Sequence, residues 1–150
     1  LIGYTPERDY SYVEINKHLR AMHPEVVRDT IEKIEGLGAD VQSDENTGLL
    51  WINREFSLSI VIVRCKATEA GNQRWHLRFD RGLEPDISVA VRLNPDNLSI
   101  RDYFILPTRE IDGTAIRTAE FNGFMLDAFL FDSLQPLFAL ADRCPIKEVA

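Results

Sequence analysis

The chain has 150 residues, of which 45% are hydrophobic and 27% charged, and its formal net charge is -7. That length and mix describe one ordinary globular domain and exclude a disordered chain, a collagen-like repeat and a disulfide scaffold. Apolar runs as short as residues 60–63 exclude a membrane-spanning helix, while a chain of this size buries about two thirds of its unfolded surface, enough for a real core.

Residues 1–10 read as irregular, broken by Gly3 and Pro6, and residues 11–20 as a short helix on which Val13, Ile15 and Leu19 form a loose stripe. A clearer helix is predicted over 24–37. Pro24 suits the first turn, where its missing N–H is not needed, and Glu25 suits the positive N-terminal end. Val27, Ile31 and Ile34 recur at helical spacing, flanked by Val26, Thr30 and Leu37; Gly36 and Gly38 then end the helix. Residues 39–42 and 49–52 read as short strands separated by a turn at 44–48. Asn53 and Arg54 close a hairpin into a strand over 55–65. Phe56, Leu58, Ile60 and Ile62 share one face of it and Ser57, Ser59, Val61 and Val63 the other. Because its second half is apolar on both faces, it belongs in the middle of a sheet.

After a turn at 70–72, residues 74–79 alternate strictly, which predicts Trp75, Leu77 and Phe79 in the core and Arg74, His76 and Arg78 outside. The strand at 86–93 sets Ile87, Val89, Val91 and Leu93 on one face and Asp86, Ser88, Ala90 and Arg92 on the other. A turn at 94–97 leads to a strand over 102–106, stopped by Pro107. Thr114 caps a short helix ending at Asn122 and Gly123, and 126–131 is strand or helix. Asp132 with Gln135 fits a capping box ahead of a last helix, whose stripe is Leu134, Leu137, Phe138 and Ala141. The tail aromatics Phe121, Phe124, Phe129, Phe131 and Phe138 read as core, with part of them at a subunit interface. Helix, strands, helix is an α+β order with a mostly antiparallel or mixed central sheet, an N-terminal helical segment and a C-terminal helix.

Charge is uneven. Residues 1–63 are net -5, 82–109 net -1 and 110–150 net -4, whereas 64–81 are net +3. Arg64, Lys66, Arg74, Arg78 and Arg81 supply the positive charge, and His76 lies among them. An acidic chain attracts phosphate poorly at long range, yet this one segment can make a few phosphate contacts. The alternative reading of the same residues is a solvated strand surface. The three histidines, His18, His23 and His76, have no CxxC or HExxH spacing around them, so neither a metal nor a cofactor is expected. No GxSxG elbow, Walker A loop or GxGxxG is present. Cys65 ends an apolar run, as a reduced thiol does, and no basic segment followed by an apolar stretch opens the chain. The expected compartment is the cytoplasm.

One resemblance does emerge. The runs EFSLSIVIVRCKAT (55–68), RWHLRFD (74–80), PDISVAVRLN (85–94) and DYFILPTREI (102–111) are similar to the core of the PD-(D/E)XK, or restriction-endonuclease-like, nuclease superfamily. In that pattern a helix precedes a strand bearing Glu or Gln, any residue, and Lys. A tryptophan-bearing strand, an Asp-led apolar strand and a strand ending in Leu-Pro follow. The resemblance implies a nuclease-like core over 24–111 within one domain over 1–150, with an N-terminal segment 1–23 and a helical part 112–150. Leu1 rather than Met at the start adds the expectation that this is a piece of a longer chain.

The catalytic positions depart from the pattern. Ile62, Val63 and Arg64 stand where Glu-x-Lys should be, and shifting the register to Arg64, Cys65 and Lys66 still leaves no acid. Ile62 cannot bind a cation, and an arginine stays protonated, so it suits an ion pair, with Asp86 for example, better than proton transfer. The reading is therefore a non-catalytic nucleic-acid-associated module of a larger DNA-maintenance or regulatory protein. Weak, non-specific DNA binding is carried by Arg64, Lys66, Arg74, His76, Arg78 and Arg81. The alternative is a protein-interaction or dimerisation domain, a homodimer included, with no nucleic-acid contact; least favoured is an active metal-dependent nuclease using Glu55 and Asp86. A winged-helix unit is disfavoured because helix 24–37 carries Glu25, Asp29, Glu32 and Glu35 against Arg28 and Lys33.

Overall fold

The computed structural model describes residues 12–67, 73–76, 85–94, 97–108 and 128–142, and within 12–16, 64–67 and 73–76 it describes the backbone. Helix α1 spans Tyr12–Ala21 and α2 spans His23–Gly36. Pro24 sits in the first turn of α2, and the helix stops where Gly38 takes φ 94°, a left-handed value that costs glycine little. The stripe that packs inward is Val26, Thr30 and Ile34, spaced four residues apart. Sequence reading centred the stripe one position away, on Val27 and Ile31, which are half-buried, and Leu37 at its end is 41% exposed. The signal was masked because the middle inward residue is a threonine. Its hydroxyl donates to the Val26 carbonyl at 2.7 Å, so a polar side chain enters the core with its hydrogen bond already made.

Six strands form one mixed sheet in the order β1-β2-β3-β6-β7-β8: β1 Val41–Ser43, β2 Leu50–Ile52, β3 Phe56–Ile62, β6 Ile87–Leu93, β7 Ile100–Pro107 and β8 Leu130–Phe131. Neighbours run antiparallel except β3 and β6, which are parallel. A further pair, β4 Arg64–Ala67 and β5 Gln73–His76, forms a separate two-stranded sheet. With α2 before the strands and α3, Leu137–Asp142, after them, this is the α+β arrangement expected. Among the described residues no helix is long and apolar enough to cross a membrane.

Asn53 and Arg54 close the β2–β3 hairpin as predicted. Both take positive φ, 53° and 58°, and the Glu55 amide returns to the Ile52 carbonyl at 2.9 Å. Two consecutive left-handed residues make a turn whose twist matches its strands. The strand predicted over 55–65 does not run straight through. It leaves the main sheet at Val63, whose amide makes one last bond to the Val91 carbonyl at 2.9 Å and which is fully buried; the chain then pairs with β5 instead. Apolar content alone could not reveal the break, since both halves read as strand.

β3 is central, as expected, but β6 is the strand covered on both faces: all seven of its residues are buried. Both faces read from the alternation are thus covered, the one carrying Ser88, Ala90 and Arg92 included. Arg92, 3% exposed, lies directly across from Asp102 in the β6–β7 register. Its Nε donates to Asp102 Oδ1 at 2.7 Å and its Nη2 to Oδ2, a two-pronged pairing of guanidinium and carboxylate. Immediately beyond, the register shifts so that Arg101 is extra on β7.

The helices hold the sheet by specific bonds as well as apolar packing. β2 ends opposite Leu58, and the Ile60 carbonyl past that end accepts from His23 Nε2 at 3.3 Å, which fixes the proton on that nitrogen. Lys33 donates to the Tyr103 hydroxyl at 3.0 Å and pairs with Asp29 at 2.9 Å. At 5.7 Å from the ring centroid but 3.0 Å from the phenol oxygen, the ammonium lies at the ring's edge rather than over its face, so the contact is a hydrogen bond and not a cation–π interaction. On α3, Phe138 meets Phe56 edge-on with ring centroids 6.4 Å apart, and Leu137 and Leu140 are buried. The helix begins after Pro136, and its approach is tied by the Ser133 hydroxyl, which accepts from the Gln135 amide at 3.4 Å, in place of the expected Asp132 cap. Of the ambiguous 126–131 stretch, Leu130–Phe131 is strand. Phe129, Phe131 and Phe138 pack partly buried on the core. The predicted helix from Thr114 to Gly123, with Phe121 and Phe124, lies outside the described residues.

Two outcomes follow from these pairings. Asp102→Ala removes the two-pronged carboxylate partner of a buried guanidinium and lowers stability by about 3–5 kcal/mol in urea unfolding, whereas the double variant Arg92→Met with Asp102→Leu recovers most of the loss. Partial burial alone lowers the pKa of Lys33, but its bonds to Tyr103 and Asp29 outweigh that and raise it above the ordinary lysine value. A raised folded-state pKa means stability that is present below the unfolded pKa of about 10.4 and lost as pH climbs through the folded one. With Lys33 and Asp29 nearly half exposed the loss stays below about 1 kcal/mol, and Tyr103→Phe shrinks this alkaline loss in unfolding measured between pH 9 and 12.

Candidate nucleic-acid interface

The basic segment picked out by charge falls on the β4–β5 ribbon. Its antiparallel register sets Arg64 opposite His76, Cys65 opposite Trp75, Lys66 opposite Arg74 and Ala67 opposite Gln73. Paired residues share a face of a ribbon, as do alternate residues along a strand. Arg64, Lys66, Arg74 and His76 therefore occupy one face, and Cys65, Ala67, Gln73 and Trp75 the other. Four of the six predicted contact residues come together by register alone. Arg78 and Arg81 lie outside the described residues, as do Leu77 and Phe79 and the side chains whose burial the 74–79 alternation predicts. Helix α1 packs against β4 and bears Lys17 and Arg20, both exposed. The sequence reading left these two bases out because they sit in the net-acidic N-terminal stretch.

Like charges directly opposite on a ribbon repel, with facing Cβ atoms only about 5 Å apart. In this register Lys66 stands across from Arg74 and Arg64 across from His76. The ribbon is rooted by Val63, one residue before it, buried and bonded to β6.

The positions where the nuclease resemblance calls for a metal site are arranged differently. Ile62 ends β3 in the six-stranded sheet, Val63 sits at the break, and Arg64 opens β4 in the other sheet, so this triplet does not share a strand. Arg64, Cys65 and Lys66 do share one. Asp86 stands at the start of β6, where its carboxylate accepts from the Ser57 amide at 2.9 Å and from the Ser57 hydroxyl at 3.2 Å. The same hydroxyl accepts from the Asp86 amide at 3.0 Å. Ser59 and Ser88 continue the row with their hydroxyl oxygens 3.2 Å apart. Glu55 is exposed in the turn just before β3, at the same end of the sheet as Asp86. The strand alternation did not foresee that proximity, which arises from the parallel β3–β6 pairing. Among the described residues no three of His, Cys, Asp and Glu come together as a metal site. Sequence reading also missed the partners of Asp86; the only signal was a pair of serines, 57 and 59, alternating within an apolar strand. The Arg64 side chain, suggested as a partner for Asp86, lies outside the described set.

Against protein-family models, curated proteins and solved structures alike, the chain finds no match.

Because Ser57 is buried, Asp86→Ala strips an acceptor from a buried amide and a buried hydroxyl. The expected cost is about 1–3 kcal/mol, read as a lower urea midpoint with an unchanged slope.

Proposed function

We propose that this chain is a non-catalytic nucleic-acid-associated module with a degenerate nuclease-like fold, acting in the cytoplasm as part of a larger DNA-maintenance or regulatory protein, and that the basic face of the β4–β5 ribbon is its contact surface. The register that sets Arg64, Lys66, Arg74 and His76 on one face carries the reading. The segment is net positive within a chain of net charge -7, so charge is concentrated where a polyanion could lie. The order of elements also supports it: a helix, a tryptophan-bearing strand, a strand entered through Asp86 and a strand ending in Leu106 and Pro107 follow one another as in the resembled core. The non-catalytic part rests on Ile62, an aliphatic side chain where the pattern demands a metal-binding acid.

A protein-interaction or dimerisation domain is the second reading. It is favoured by the net acidity and by Trp51, a large apolar side chain on β2 that remains 38% exposed.

Titrating a labelled DNA with the chain at increasing salt tests the first reading. Three cations, Arg64, Lys66 and Arg74, give a log–log slope between about -2 and -3, and Arg74→Glu weakens binding to all sequences alike. A much steeper slope, or binding untouched by that reversal, moves the surface elsewhere. In a plasmid-nicking assay with millimolar Mn²⁺ the chain leaves the plasmid intact; metal-dependent cleavage overturns the non-catalytic reading.

A further inference from the structure

Resting on that reading, we infer that the ribbon recognises double-helical B-form DNA through its major groove, in preference to single strands and to RNA duplexes. Three observations carry this. First, β4 and β5 are a two-stranded antiparallel ribbon outside the main sheet, four residues long on each strand and thus roughly 10 Å from first to last Cα. A two-stranded ribbon is one of the two protein shapes that the B-DNA major groove, about 12 Å wide, admits. The A-form major groove of an RNA duplex is too deep and narrow for it.

Second, the bases lie in facing pairs, one on each strand, rather than in a single file. Arg64 faces His76 and Lys66 faces Arg74. Paired cations suit a groove bounded by two phosphate rows. A single strand offers one row, which a file of bases along one element would match.

Third, the aromatic residue of the ribbon is on the wrong face for single-strand binding. Trp75 pairs with Cys65 and so belongs to the face opposite the bases. Proteins that hold single strands combine a basic groove with aromatic side chains on which bases stack, each stack contributing about 1–3 kcal/mol. On this ribbon the charge and the ring are separated by the alternation of the strand.

The test compares three labelled 20-nucleotide probes, a DNA duplex, an RNA duplex of the same sequence and one DNA strand, titrated with the full chain by fluorescence anisotropy at low salt. The expected result is at least ten-fold tighter binding to the DNA duplex than to either other probe. The major-groove ligand methyl green displaces the chain, and the minor-groove ligand netropsin does not. Lys66→Gln with Arg74→Gln weakens duplex binding at least ten-fold while far-UV circular dichroism and the urea midpoint are retained, since the change relieves a like-charge pair. Equal or tighter binding to the single strand or the RNA duplex, or displacement by netropsin alone, overturns the major-groove inference and leaves the nucleic-acid reading standing. Failure to bind any of the three probes overturns the nucleic-acid reading itself.

Discussion

The fold depends on one strand that carries charge into a place where charge cannot stay unpaired. β6 is buried along its whole length, yet Asp86 stands at its entrance and Arg92 near its exit. An uncompensated ion in that environment costs several kcal/mol, comparable with the net stability of a domain. Each charge is met by a neighbouring strand: Asp86 by the amide and hydroxyl of Ser57 on β3, Arg92 by the carboxylate of Asp102 on β7. These bonds do more than neutralise. A parallel pair and an antiparallel pair meet on β6, and a slip of one residue on either side would separate a charge from its partner. Register on both sides of the central strand is thus specified electrostatically as well as by the apolar alternation.

That specification reaches the ribbon. A parallel β3–β6 pair obliges the chain to cross over between the end of one strand and the start of the next. Here the crossover contains β4 and β5. Because Val63 is still held by β6, the ribbon departs from a fixed point, and α1 packs against its first strand. The ribbon is thus anchored at its base on β6, whose seven residues are all buried.

The split between the two sheets separates positions that the sequence reading placed on one strand. Ile62 closes the main-sheet strand, where an aliphatic side chain adds to the core, and Arg64 belongs to the ribbon. Because the break falls between them, those two positions belong to different sheets.

Period-two alternation located the strands, proline and glycine marked the start and end of α2, and Asn53 with Arg54 announced the hairpin. These were legible because they depend on neighbours in the chain: backbone dihedral preferences and side-chain faces are set within a few residues. The concentration of bases in 64–81 was equally a property of the sequence alone. Tertiary structure decided the rest. Thr30 reads as a polar residue beside a helical stripe until its bond to the Val26 carbonyl lets it enter the core. Arg92 is only a charge on one face of an apolar strand until β7 brings Asp102 across from it. Glu55 and Asp86 come to the same end of the sheet only through a parallel pairing between distant segments, and Arg64, Lys66, Arg74 and His76 share a face only once β4 and β5 adopt their particular register. Each of these depends on which strand lies beside which, and that is chosen by the burial of the whole core rather than by any local run of residues.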